Sequence, residues 1–83
     1  MENARDRVKE LTLMLLYLTS WTEKDFREGL RRSWKGYDFD ILNELEDEEL
    51  IWGGRRSKSV YLGKNAIARA RELLSEYGIE EQA

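Results

Sequence analysis

The stretch from Asp38 to Lys64, DFDILNELEDEELIWGGRRSKSVYLGK, decides the fold of this chain. Asp38 is a good helix N-cap, because its carboxylate can accept from the first free backbone N–H groups. Ile41, Leu42 and Leu45 then recur at helical spacing and mark a buried side. Asp40, Asn43, Glu44, Asp47 and Glu48 fall on the other side. Leu50–Ile51–Trp52 reads as a short strand, Gly53–Gly54 as a hairpin signal, and Arg55–Arg56–Ser57–Lys58 as its exposed tip. Ser59–Val60–Tyr61–Leu62 alternates, with Val60 and Leu62 on one face. A helix followed by a two-stranded wing is the expectation.

Working outward, a first helix starts after Asn3, a capping residue with Asp6 three positions on. Val8, Leu11, Leu15 and Leu18 repeat at helical spacing, and Leu13, Met14, Leu16 and Tyr17 widen the apolar surface until it nearly encircles the helix. Such a helix is buried on several sides. It is either a central core helix or one that turns Leu13, Leu16 and Tyr17 to a second copy of the chain. Thr22 and Asp25 form a capping-box pattern, with Trp21 and Phe26 as a hydrophobic staple. They open a second helix expected to run to about Arg32. Gly36 interrupts before the Asp38 helix. After the wing, a helix from about Lys64 carries Ile67, Ala70, Leu74 and Tyr77 on its buried stripe. Gly78 caps it and Ile79 folds back onto its last turn. Residues 79–83 read as a polar, frayed tail. Of the aromatics, Trp34 and Tyr37 are expected inside and Trp52 or Tyr61 partly exposed.

Helix, helix, helix, hairpin, helix is an α+β order, mainly α, and resembles a winged helix-turn-helix. DILNELEDEELI and SVYLG are similar to the region from recognition helix to wing in small bacterial regulators. That resemblance covers about Tyr37 to Leu74. A closer one is carried by TSWTEKD, RRSWKGYDFDILNEL and KSVYLGKNAIARA, which resemble a small bacterial winged-helix-like family of unknown function. That family brings no activity to carry over. The sequence departs from the winged-helix habit at Gly63, where threonine is usual, and at Ala66, where glycine is usual.

Eighty-three residues make one expected domain, 1–83. Hydrophobic residues at 41% and charged residues at 37% give a globular balance. Cysteine and histidine are both absent. That removes disulfides, Cys/His zinc sites and the common catalytic triads. A Ser–Lys pair through Ser57, Lys58 and Ser59 would sit on a wing, a poor place to hold reacting groups. Asp38, Asp40 and Glu49 match three positions of an EF-hand loop, but Leu42 and Asn43 break the pattern. The expectation is no enzyme, no cofactor, no metal and no small-molecule substrate. The charged start and a longest apolar run of Leu13–Leu18 give neither signal peptide nor membrane span, and a cytoplasmic location is expected.

Charge divides the remaining readings. The chain carries 14 basic and 17 acidic residues, for a net charge of −3. Gly36–Ile51 holds seven acids and no base. A winged helix commonly lays this helix in the DNA major groove, where Asp40, Glu44, Asp47 and Glu48 would be repelled by phosphates. These four carboxylates suit a basic protein partner better. The alternative is a nucleic-acid-binding module. It would use Arg31, Arg32 and Lys35 with Arg55, Arg56 and Lys58 on the wing, and aromatics such as Trp34, Tyr37, Trp52 or Tyr61 between them. A protein partner or self-association is expected first, with nucleic acid as the alternative.

Overall fold

The computed structural model describes residues 3–22, 29–53 and 57–81. Among them the order is α1 (Ala4–Leu18), β1 (Arg31–Trp34), α2 (Phe39–Asp47), β2 (Ile51–Trp52), β3 (Ser59–Leu62) and α3 (Lys64–Glu76). The fold is α+β, mainly helical, in a winged-helix-like layout. The three strands form one antiparallel sheet in the order β1-β3-β2. The helices begin where the sequence places them. Asn3 accepts from the N–H of Arg5 at 2.9 Å, and Asp38 from those of Asp40 and Ile41. Gly78, at φ +71°, ends α3, and the Ile79 N–H donates to the Leu74 carbonyl at 2.8 Å. No helix among the described residues is long and apolar enough to cross a membrane.

The core is Leu13, Met14, Leu16 and Tyr17 of α1 against Ile41, Leu42 and Leu45 of α2, Ile51, Val60 and Leu62 of the sheet, and Ala66, Ala70, Leu73 and Leu74 of α3. This reverses the expectation for α1. Val8, Leu11, Leu15 and Leu18 lie outside, each 45–47% exposed. Leu13, Leu16 and Tyr17, expected as a dimer face, are interior. The inner face keeps Lys9 and Glu10 at its edge, where each has a partner. Lys9 pairs with Glu48 of α2 at 2.8 Å, and Glu10 with Arg69 of α3 at 3.4 Å. The Glu48 carboxylate holds the Lys9 ammonium above the ordinary lysine range. Charges that make this face look exposed are the ones that tie α1 to both neighbours.

Two further expectations change. Residues 23–28, which carry most of the expected second helix, lie outside the described residues. Its expected end does not hold, because Arg31 and Arg32 are in β1, after Gly29 at φ +84°. Strand alternation then puts Ser33 inside, fully buried, with its Oγ 3.1 Å from the Thr19 Oγ1. Trp34 is turned out, 62% exposed, where burial was expected. Tyr37 does pack against the core. In the polar tail, Glu81 makes side-chain contacts. That carboxylate accepts from the Tyr17 hydroxyl and from Arg71 Nε. Burial, and then Glu81, push the Tyr17 phenol above its usual range, and the Tyr17 hydroxyl holds the Glu81 carboxyl below its own.

Two backbone positions carry predictions. Glu49, just past the α2 C-cap, has φ +61°, a conformation costing a side chain about 1–2 kcal/mol. Glycine there avoids that cost at an entropic penalty of about 0.5–1 kcal/mol. Glu49→Gly is therefore expected to raise stability by about 0.5–1 kcal/mol in urea denaturation. Gly63, where a wing usually ends in threonine, is buried under Trp52. A Cβ there would fall 2.5 Å from two atoms of the indole ring. In a Trp21→Phe, Trp34→Phe background, Gly63→Ala should shift Trp52 fluorescence to the red. Gly36→Ala, with nothing within 4 Å of the added Cβ, should not.

Candidate interaction site

Two surfaces gather the residue types that bind partners, and the β1–β3 pairing builds both. Across the outer face of the sheet, Arg32 is paired with Tyr61 in β3, Tyr61 with Trp52 in β2, and Trp21 with Arg32 through an isolated bridge. One row therefore reads Trp21, Arg32, Tyr61, Trp52. The Arg32 guanidinium lies 4.8 Å from the Tyr61 ring centroid, and its Nε donates to the Ser59 Oγ at 2.6 Å. Trp34, next along β1, has its ring centroid 5.1 Å from that of Trp21, in a tilted pair. A guanidinium over an aromatic face is held by the ring quadrupole. Trp52 and Trp34 remain about half or more exposed.

The second surface is a groove of about 560 Å³ between α2 and the wing. Phe39, Leu42, Gly53 and Val60 give it apolar walls, and Lys35, Asn43, Glu46 and Asp47 its polar ones. A shallower groove continues from it along Lys35 and Phe39 to Trp34 and Lys58. Phe39 stands at the junction, 68% exposed. Glu46 and Asp47 have no ion-pair partner among the described residues. Phe39 and the exposed Trp34 thus stand as large apolar side chains along a groove of mixed polarity.

The residues singled out in the sequence are redistributed. Lys35 and Lys58 are brought together, the Lys35 N–H donating to the Lys58 carbonyl at 3.0 Å. Arg31 is turned away, its guanidinium on the Ser20 carbonyl at 2.9 Å and 5.9 Å from the Tyr17 ring centroid. Arg55 and Arg56 lie outside the described residues. The four α2 carboxylates do not act as one face. Glu44 pairs with Arg5 at 3.0 Å and Glu48 with Lys9, both toward α1. Asp40 and Asp47 remain on the outer side, and Asp47 joins Glu46 in the groove. Phe39 and Glu46 were not singled out in the sequence. Their signal was available, since both sit on the α2 side that turns toward the wing, one turn either side of Leu42.

Chemistry-bearing residues elsewhere have structural partners. Asp38 is committed to its cap, Ser57 Oγ donates to the Ser59 carbonyl, and Ser59 Oγ accepts from Arg32. No group of three or more acids that could hold a metal ion occurs among the described residues. No curated protein and no solved structure matches the chain. A family model does, over residues 4–80, under the description Domain of unknown function (DUF6429). With nearly its whole length matched, the chain belongs to that family.

Proposed function

We propose that this is a non-enzymatic protein-interaction module. It docks a segment of a partner protein in the groove between α2 and the wing. The observation that carries this reading is Phe39, exposed at the junction of two continuous grooves whose far wall bears Glu46 and Asp47, neither ion-paired among the described residues. An apolar anchor entering between Phe39, Leu42 and Val60 would be desolvated at the centre of the contact, where binding energy concentrates. A Lys or Arg beside that anchor would meet Glu46, Asp47 and Asp40. The partner's chemistry is thus an apolar side chain flanked by cations.

Selection from a phage-displayed library of random peptides tests this. Enriched peptides are expected to pair an apolar residue with Lys or Arg. Phe39→Ala should weaken their binding about tenfold or more, the size of a hot-spot loss. A Glu46→Lys, Asp47→Lys double variant should do the same at low salt, and circular dichroism should show both variants folded. Enriched peptides indifferent to all three substitutions would remove the groove from the account.

The outer sheet row favours a second reading, nucleic-acid binding. Trp52, Tyr61 and Trp34 offer faces on which bases stack, with Arg32, Lys35 and Lys58 near enough to meet phosphates. The net charge of −3 and the acids of α2 weigh against it. Fluorescence anisotropy with random single-stranded and duplex DNA at low salt separates the two readings. Under the first, no binding is expected at tens of micromolar protein. Binding that Trp52→Ala and Tyr61→Ala abolish would transfer the function to the sheet.

A further inference from the structure

We infer that α1 pairs with α1 of a second copy, antiparallel, through Val8, Leu11, Leu15 and Leu18. The spacing of these residues, three then four then three, is the a/d seam of a two-helix coiled coil. Ala4 continues the same seam toward the N-terminus. All four are 45–47% exposed, an even strip along about 15 Å of helix. The strip holds no charged residue, whereas the inner face of the same helix holds Asp6, Lys9 and Glu10. The outward face is therefore the more uniformly apolar of the two. Core packing does not explain an outward strip so regular.

A second copy is the occupant because the strip complements itself. Turned antiparallel about a two-fold axis, Val8 lies opposite Leu18 of the other copy, and Leu11 opposite its Leu15, so each contact occurs twice. Electrostatics choose the direction. The N-terminal half of α1 carries Arg5, Arg7 and Lys9 against Asp6 and Glu10, and its last turn carries no base. Arg5, Arg7 and Lys9 are answered within one copy by Glu44, Glu10 and Glu48, so the dipoles decide, and a parallel pair would bring two positive dipole ends together. The antiparallel pair sets each against the other copy's neutral, carbonyl-rich end. The seam covers roughly 300–400 Å² per copy, about the size of the largest apolar patch on an ordinary monomer. Two copies together bury roughly 600–800 Å², less than a stable interface needs, so the dimer is weak and concentration-dependent. It leaves the groove at α2 free, and its test is independent of the groove's.

Engineered cysteines test the geometry cleanly, because the chain has none of its own. Val8→Cys and Leu18→Cys chains, mixed in equal amounts in a glutathione redox buffer, should give the mixed disulfide several-fold above the random one-to-two-to-one distribution. A random distribution, or an excess of the Val8→Cys homodimer, would overturn the antiparallel seam. Sedimentation of the unaltered chain covers the case in which a cysteine variant fails to fold. Its mass should rise from one chain toward two as concentration reaches hundreds of micromolar. A Leu11→Glu, Leu15→Glu variant with unchanged circular dichroism should remain at one. An unaltered chain that stays at one chain throughout would also overturn the proposal, leaving the strip to be covered by something other than a second copy.

Discussion

The fold depends on which face of α1 is buried. That helix has apolar residues almost all the way round, and a chain this short can cover only one side of it. The side that wins is the one that puts Leu13, Met14, Leu16 and Tyr17 into the core while the charges at its edge find partners. Lys9 reaches Glu48 and Glu10 reaches Arg69, so α1 is pinned to α2 and α3 at one end. Leu13, Leu16 and Tyr17 continue the same face into the core at the other. Individually such half-exposed ion pairs contribute little to stability. They mark the edge of the buried side, while the burial of Leu13, Met14, Leu16 and Tyr17 holds the rotation of α1 about its axis.

The pairing of β1 with β3 does for the binding surfaces what the burial of those side chains does for the core. It aligns Arg32 with Tyr61 and brings Lys35 to Lys58. It also puts Ser33 inside, so that Trp34 must face out. Gly63 then allows the Trp52 ring to lie down over the end of β3, completing an aromatic row on the outer face. The departure from the winged-helix habit at this position thus has a local physical cause. A threonine side chain would occupy the space the indole takes.

Much of this was legible in the sequence. Asn3, Asp38 and Gly78 announce helix ends through capping chemistry that acts within a few residues, and the alternation of Val60 and Leu62 announces β3. What was not legible depended on contacts between distant segments. RRSW contains no apolar residue for its inward position, so nothing in its pattern signals a strand, and only the pairing with β3 makes it one. The buried face of α1 could not be chosen from periodicity, because the face with the cleaner apolar spacing is the one left outside. For the same reason the residues first suited to self-association, Leu13, Leu16 and Tyr17, proved to be core. The acidic side of α2 was visible, but its division was not. Glu44 and Glu48 are taken by Arg5 and Lys9, and the groove takes Asp47 together with Glu46, which pattern alone did not mark.

The orientation of α1 is open to direct measurement by thiol labelling of single-cysteine variants. With no native cysteine, Leu15→Cys and Leu16→Cys each place one thiol on opposite faces of the same turn. At sub-micromolar concentration, where a weak dimer is dissociated, Leu15→Cys should react with a maleimide or disulfide reagent at nearly the rate of an unfolded chain. Leu16→Cys, at a position fully buried in the core, should be protected until denaturant is added. Rapid labelling at position 16 with protection at position 15 would contradict the account at its foundation.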